Sequence, residues 1–182
     1  MTTAAQQKLA DIRLVAFDVD GVLTDGRLYY GAEGEVLKVF HVRDGVGMKL
    51  LADHNVAVAV ISAKDSPMLT RRMSDLGVQH YFPGTSDKQQ CVLELCQRLA
   101  IPEQQAAFVG DDMVDLKAMA VCGLGIAPAD AYPVVRDQAD MVLTSRGGEG
   151  VAREVADLIL TAQDQYQQAY SVAATPVFER KR

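Results

Sequence analysis

Short apolar runs alternate with longer amphipathic stretches along the chain. The runs that predict strands are LVAF (14–17), VAVAVI (56–61), AAFVG (106–110), LGIA (124–127) and MVL (141–143). The first three are continuously apolar, which is typical of parallel strands that helices cover on both faces. Helical patterns lie between the runs, near residues 45–54, 66–76, 88–100, 113–121 and 150–163. This alternation predicts an α/β fold with a doubly wound parallel sheet flanked by helices.

One segment departs from the alternation. Residues 27–42, RLYYGAEGEVLKVFHV, contain two β-prone runs around GAEG, which predicts a hairpin that projects from the sheet. An isolated hairpin is marginal in water, so its apolar stripe needs something to pack against. That stripe consists of Leu28, Tyr30, Val36 and Val39.

The rest of the chain shows no linker and no internal repeat, so residues 1–182 are expected to form a single domain. The C-terminal tail, from about residue 164 to residue 182, is rich in Gln and ends in FERKR. This composition predicts a fraying helix followed by a loose tail.

Charge and composition argue against several classes of function. The chain carries 18 Lys and Arg against 24 Asp and Glu, a net charge of −6, which disfavours nucleic acid or an anionic membrane as a partner. No stretch approaches the ~18 uninterrupted apolar residues of a membrane span, and the N-terminus does not resemble a signal peptide. The three cysteines have neither paired nor metal-binding spacing, so we expect a reducing, cytoplasmic location.

Polar side chains follow the predicted strands at their carboxyl ends, where open α/β sheets bind ligands. They are Asp18 and Asp20 after the first strand, Ser62 after the second, Asp111 and Asp112 after the third, and Lys88 at the start of the helix between the second and third. Several separate segments therefore bring polar groups to one edge of the sheet.

These residue types are suited to phosphoryl transfer. Asp18 and Asp20 lie two positions apart, so in extended chain they face the same side and can act on one group from different directions. A hard cation would cancel their repulsion, and Asp111 could complete its oxygen shell. Mg²⁺ fits, because it typically takes one or two carboxylates, waters and a substrate phosphate. Lys88 would neutralise phosphoryl oxygens and Ser62 would donate a hydrogen bond, which completes a nucleophile, an acid/base, a metal and a cation clamp.

Other sites that begin similarly fit less well. A calcium-binding EF-hand loop also begins D-x-D, but it needs Gly and Glu where this chain has Leu23 and Tyr29. No G-x-x-x-x-G-K-[ST] is present, which argues against a P-loop nucleotide site. The G-x-G of CGLGIA follows a helix and lacks the third glycine, so it predicts a turn.

FDVDGVLTD, VISAK, Lys88 and GDDMVDL, in this order, resemble the four motifs of the haloacid dehalogenase superfamily of phosphohydrolases. The resemblance covers residues from about 12 to about 163 and implies a Rossmann-like fold. It implies that Asp18 attacks phosphorus and becomes an aspartyl phosphate, while Asp20 protonates the leaving oxygen and then activates water. It further implies a magnesium ion held by Asp18, the backbone carbonyl of Asp20 and Asp111, with support from Asp112 and Asp115.

A longer resemblance narrows the superfamily. DGVLTDGRLYYGAEGEVLKVFHVRDGVGMKLL, GTSDK and GGEGVAREV are similar to a branch that lacks a cap domain and hydrolyses an eight-carbon sugar-acid 8-phosphate of lipopolysaccharide biosynthesis. The gaps between Asp20, Ser62 and Lys88 leave no room for a lid domain, which supports the capless interpretation. The branch forms homotetramers with the hairpin and the tail at subunit contacts, which we expect here too.

One stretch departs from the branch. The usual I-S/T-G-R reads ISAK here, with Ala63 and Lys64 in place of Gly and Arg. Lysine keeps the charge but loses the two-pronged geometry that matches a carboxylate. Arg72 matches a second basic position and could compensate, so Ala63, Lys64 and Arg72 join Asp20, Ser62 and Lys88 as predicted substrate contacts.

Two alternatives stay open at this point. The chain could instead be a related phosphatase that acts on a sialic-acid-like nine-carbon sugar 9-phosphate. From a different class, a receiver-type signalling domain also places acidic residues and a lysine around a phosphorylated aspartate. Receivers lack an aspartate two positions after the phosphorylated one, and their chains are shorter.

Overall fold

The computed structural model describes residues 3–173. In chain order the strands are β1 (Leu14–Phe17), β2 (Tyr29–Gly31), β3 (Gly34–Leu37), β4 (Ala57–Ile61), β5 (His80–Phe82), β6 (Ala106–Val109), β7 (Leu124–Ala127) and β8 (Met141–Val142). Six of them form a parallel sheet in the order β5-β4-β1-β6-β7-β8. The predicted α/β fold with a doubly wound parallel sheet is confirmed.

Helices flank this sheet. They are α1 (Thr3–Asp11), α2 (Val42–Asp53), α3 (Pro67–Leu76), α4 (Lys88–Leu99), α5 (Leu116–Val121), α6 (Pro133–Gln138), α7 (Val151–Ala162) and α8 (Tyr166–Ala173). A short 3₁₀ turn, Met113–Asp115, precedes α5, so the helix predicted at 113–121 begins with a tighter turn. The sequence patterns did not predict α1, α6 or β5.

The centre of the core explains the continuously apolar first run. Val15 and Phe17 pack with apolar side chains of α1, α2, α3 and α7 on one face of the sheet. Leu14 and Ala16 pack with those of α4, α5 and α6 on the other face. β1 therefore lies between two layers, and every side chain along it is buried.

Strands β2 and β3 form a separate antiparallel pair, which confirms the predicted hairpin. It is shorter than residues 27–42, because the chain leaves the strand after Leu37 and α2 begins at Val42. All four side chains of its predicted apolar stripe are exposed: Leu28 at 47 %, Tyr30 at 66 %, Val36 at 62 % and Val39 at 51 %.

Two connections would have to carry any cap domain. The one between β1 and α2 holds the hairpin, and the one between β4 and α4 holds α3 and β5, so neither carries a cap. Within residues 3–173, no helix has the length and apolarity needed to cross a membrane. Helix α8 agrees with the helical start predicted for the tail, whereas residues 174–182 lie outside the described part of the chain.

Candidate active site

The carboxyl ends of three neighbouring strands bring the first site residues to one edge of the sheet. Asp18 follows β1, and its backbone N–H donates to the carbonyl of Val109 in β6 at 2.9 Å. Ser62 follows β4, and its backbone N–H donates to the carbonyl of Phe82 in β5 at 3.0 Å. Asp111 follows β6. Backbone pairing with the adjacent strand thus fixes where these side chains start.

A buried ion-pair cluster lies at the centre of this edge. The Lys88 Nζ atom is 2.7 Å from Asp18 Oδ1 and 2.7 Å from Asp115 Oδ1. Residue exposure is 6 % for Asp18, 4 % for Lys88 and zero for Asp115. Burial, followed by the charge of Asp115, raises the pKa of Asp18. Burial alone would lower the pKa of Lys88, but the charges of Asp18 and Asp115 outweigh it and raise that pKa, so the ammonium stays charged.

Asp115 also braces the loop that follows β6. Its Oδ2 accepts the backbone N–H groups of Asp111, at 3.1 Å, and Asp112, at 3.3 Å. A Cβ at Gly110 would lie 2.4 Å from the Cβ of Asp115, so the close approach requires glycine there. Both oxygens of Asp115 are therefore engaged by protein donors.

Asp111 is the least compensated carboxylate of the site. Its Oδ1 is buried and has no hydrogen-bond partner among the described residues. Burial, followed by the charges of Asp18 and Asp115, raises its pKa to about 8. Carboxylate oxygens of Asp18, Asp111 and Asp115 all lie within 4.8 Å of one another.

This donor set fits a hard cation. Three carboxylates face the ammonium of Lys88, and the buried Oδ1 of Asp111 has no partner within residues 3–173, so a divalent ion with oxygen ligands would relieve both the repulsion and the missing contact. Asp18 and Asp111 are the side chains available as ligands, since Asp115 is already bonded.

Asp20 lies at the mouth of the site, with its side chain 26 % exposed. Its Oδ1 accepts a hydrogen bond from Lys38 Nζ, which reaches it from the base of the hairpin. The next residue, Gly21, has a φ of +90°, and a Cβ there would lie 2.0 Å from Asp111 Oδ2. The positive φ and the closeness of the Asp111 side chain both favour glycine at this position.

Ser62 is buried and well placed to donate a hydrogen bond. Its Oγ accepts the backbone N–H of Lys64 at 3.2 Å, and its carbonyl accepts the N–H of Thr85 at 2.8 Å. The hydroxyl proton remains available, because accepting from Lys64 does not use it. Ala63 and Lys64 are exposed at the start of the connection to α3.

Two predicted site residues, Arg72 and Asp112, are not members of the ion-pair cluster. Arg72 is half-buried on α3 and faces the first turn of α2, where a Cβ at Gly45 would come within 2.8 Å of its Nη2. It lines a small cavity together with Asp44 and Phe40. Asp112 is exposed, and its Oδ1 accepts the N–H of Met113 at 2.7 Å. The substrate contact of Arg72 and the supporting role of Asp112 stay predictions.

Comparisons with known proteins find similar hydrolases. A family model described as haloacid dehalogenase-like hydrolase matches residues 69–155. 3-Deoxy-D-manno-octulosonate 8-phosphate phosphatase KdsC of Haemophilus influenzae is 49 % identical over 158 residues, which cover 87 % of this chain and 88 % of the relative.

Two solved structures are similar over nearly their whole length. The cobalt-bound form of the deoxy-D-mannose-octulosonate 8-phosphate phosphatase from Haemophilus influenzae has a TM-score of 0.87 and 46 % identity, and the match covers 91 % of this chain and 99 % of that chain. The 3-deoxy-D-manno-octulosonate 8-phosphate phosphatase of Moraxella catarrhalis, in complex with magnesium ion, phosphate ion and a KDO molecule, has a TM-score of 0.90 and 36 % identity. That match covers 94 % of this chain and 99 % of the other.

The parallel sheet, the buried Asp-Lys-Asp cluster at its edge and the matched family model define the class of protein, a haloacid dehalogenase-like hydrolase. Relatives named 3-deoxy-D-manno-octulosonate 8-phosphate phosphatase KdsC are 41 % to 49 % identical to this chain over most of their length. The chain therefore belongs to the family of 3-deoxy-D-manno-octulosonate 8-phosphate phosphatases, which are phosphoric monoester hydrolases. The predicted superfamily and the capless fold are confirmed, and the receiver alternative is not favoured.

The sequence patterns did not single out Lys38. It occurs in VLKVF, an apolar run of the hairpin, where one lysine looks like the solvent-facing member of a strand. The available signal was a charged residue inside an apolar run near the acidic cluster, but side-chain direction was needed to connect it with Asp20.

Proposed function

We propose that the chain is a magnesium-dependent phosphatase that hydrolyses 3-deoxy-D-manno-octulosonate 8-phosphate to KDO and phosphate. The observation that carries the proposal is the buried contact of Lys88 with Asp18 and Asp115, next to an Asp111 oxygen that has no partner in the described part of the chain. An uncharged substrate would not need this arrangement, whereas a phosphate monoester needs a nucleophile and a cation beside it. The relatives' names supply the sugar.

The proposed reaction proceeds in two displacements. An Asp18 carboxylate oxygen attacks phosphorus, the bond between phosphorus and the sugar oxygen breaks, and Asp20 gives a proton to that oxygen. Asp20, now a carboxylate, takes a proton from a water molecule whose oxygen attacks the phosphorus of the aspartyl phosphate. The bond to Asp18 breaks, and phosphate and free Asp18 result.

The other side chains bind and orient. Lys88 would neutralise a phosphoryl oxygen while it holds Asp18, and the Ser62 hydroxyl would donate to a second oxygen. Magnesium, bound by Asp18, the carbonyl of Asp20 and Asp111, would supply positive charge against the phosphoryl group and the carboxylates. Lys64, beside Ala63 at the exposed rim, would face the sugar acid.

We further propose that the enzyme is a cytoplasmic homotetramer made of single-domain subunits. Support for the assembly comes from the hairpin, whose apolar side chains are exposed in the isolated chain. Burying them against a neighbouring subunit would remove apolar surface from water, which is favourable. The free cysteines support a reducing location.

The test is a phosphate-release assay on a panel of sugar phosphates, with magnesium or with excess chelator. We expect the eight-carbon 8-phosphate to give the highest kcat/KM, activity to vanish in chelator, and magnesium to restore it. Calcium should inhibit, because its larger and looser coordination aligns nucleophile and phosphate poorly. A preference for a nine-carbon 9-phosphate would favour the alternative substrate, and full turnover in chelator would contradict the metal's role.

A further inference from the structure

The hairpin region exposes its apolar side chains and buries a charged one. Its apolar side chains are exposed, whereas the side chain of Lys38 is only 3 % exposed. Lysine is among the residues least often buried, and removing an ammonium from water is unfavourable unless it is paired. The base of the hairpin is therefore organised around Lys38 rather than around an apolar core.

The partners of Lys38 are two carboxylates. Its Nζ donates to Asp20 Oδ1 and lies 3.4 Å from Glu35 Oε1, which is buried and makes no hydrogen bond among the described residues. Glu35 thus contributes negative charge at a longer distance, and the direct hydrogen bond goes to Asp20. Since Glu35 lies in β3 and Lys38 directly follows that strand, the contact joins the base of the hairpin to the loop after β1.

We propose that Lys38 is a positioning residue for the acid/base carboxyl of Asp20. By holding Oδ1, the ammonium leaves Oδ2 to serve the leaving oxygen and then the attacking water. The inference rests on the proposed function, because it assigns Lys38 a task in that same reaction. Asp20 follows the sheet edge in a loop and is partly exposed, so without Lys38 its side chain would sample several rotamers.

A positioning role differs from a substrate-binding role in its dependence on the leaving group. A sugar alkoxide is a poor leaving group and needs the Asp20 proton, whereas 4-nitrophenolate leaves without one. Loss of Lys38 should therefore slow the first step for the sugar phosphate far more than for 4-nitrophenyl phosphate. Loss of a substrate contact would instead raise KM for the sugar phosphate.

The experiment compares Lys38→Met, Lys38→Arg and the wild-type enzyme in single-turnover release of the leaving group, with magnesium present. For Lys38→Met we expect a loss of about tenfold to a hundredfold with 3-deoxy-D-manno-octulosonate 8-phosphate and less than about threefold with 4-nitrophenyl phosphate. KM should stay within about twofold. Lys38→Arg should recover part of the loss, because it keeps a donor and the charge.

Two further variants test whether the effect passes through Asp20. In an Asp20→Asn background, adding Lys38→Met should cost less than about twofold, since the group that Lys38 orients no longer transfers a proton. Glu33→Gln, in the exposed hairpin turn, is the matched control for Glu35→Gln and should behave as wild type. Glu35→Gln should reproduce a smaller form of the Lys38→Met defect.

The outcomes separate this inference from the proposed function. A wild-type enzyme inactive on both substrates would overturn the proposed function. An active wild type with equal losses on both substrates in Lys38→Met, or a full extra loss in the Asp20→Asn background, would overturn the positioning role. A raised KM with unchanged single-turnover rate would make Lys38 a substrate contact instead.

Discussion

Replacing Asp111 by Asn should make the metal-free protein more stable at neutral pH. The carboxylate of Asp111 has a pKa of about 8 because of burial and the charges of Asp18 and Asp115, against an ordinary 3.8. Asparagine has almost the same shape and no charge, so Asp111→Asn removes the repulsion without opening a cavity. The same change removes a proposed magnesium ligand, so it should also abolish phosphatase activity.

The size and sign of this stability difference follow from proton linkage. Between pH 3.8 and about 8 the folded state holds a proton on Asp111 that the unfolded chain has lost, so stability falls as the pH rises through this range. Taken in full, the shift would cost about 4 kcal/mol at pH 7, at 1.36 kcal/mol for each pKa unit. Because the side chain is partly exposed, solvent screening reduces this to about 2 kcal/mol. A chain of this size would then melt about 4–8 °C higher as Asp111→Asn.

Thermal unfolding in excess chelator, from pH 5 to pH 8.5, measures the difference. We expect the advantage of Asp111→Asn to be largest near pH 8 and to shrink towards pH 5. Asp112→Asn is the matched control, because the side chain of Asp112 is exposed and Asn at this position can still cap the following turn. This variant should melt within about 2 °C of wild type. Excess magnesium should reverse the order, because it stabilises a protein that binds it. An Asp111→Asn protein that is less stable than wild type at pH 8 in chelator, or a difference independent of pH, would refute the electrostatic account.

Three other changes test the site and the assembly. Asp18→Asn should keep the fold and lower kcat by at least about a thousandfold in the phosphate-release assay, since it removes the proposed nucleophile at constant volume; retention of a tenth of the activity would mean another nucleophile. Lys64→Ala should raise KM for the sugar phosphate about tenfold with a smaller fall in kcat, and an unchanged KM would place Lys64 outside the site. Replacing Tyr30 and Val39 together by Asp should dissociate the proposed tetramer in light scattering and depress activity, whereas a fully active monomer would disprove the need for assembly.

The sequence predicted best those strands that helices cover on both faces of the sheet. β1 is buried on both faces, so its four apolar residues coincide with the observed strand from first to last. β5 escaped prediction because it has three residues, lies at the edge of the sheet, and pairs with β4 alone in a half-buried position. Yet β5 matters for the site, since the carbonyl of Phe82 fixes the backbone of Ser62.

The same contrast holds within the site. Asp18, Lys88 and Asp111 were predictable because each follows or begins a regular element, and parallel strands bring such positions to one edge. The contact of Lys38 was not predicted, since it depends on where a long side chain is directed, and the substrate contact expected of Arg72 stays a prediction for the same reason. Arg72 faces α2, and Lys38 reaches from the hairpin to Asp20.

These contacts divide the proposed catalytic groups into a rigid set and an adjustable one. Asp18 is held by β6 and by Lys88, deep in the sheet edge, so its position depends on the core. Asp20 is held by Lys38, and Lys38 lies at the base of a hairpin whose apolar side chains remain exposed in the single chain. Anything that packs against those side chains would restrict the hairpin and, through Lys38, the proposed acid/base carboxyl of Asp20. A subunit contact at the hairpin would therefore act on the proposed proton transfers and leave the proposed nucleophile fixed, which gives a physical reason why surface changes in the hairpin should lower activity without altering any group that we expect to touch the phosphate.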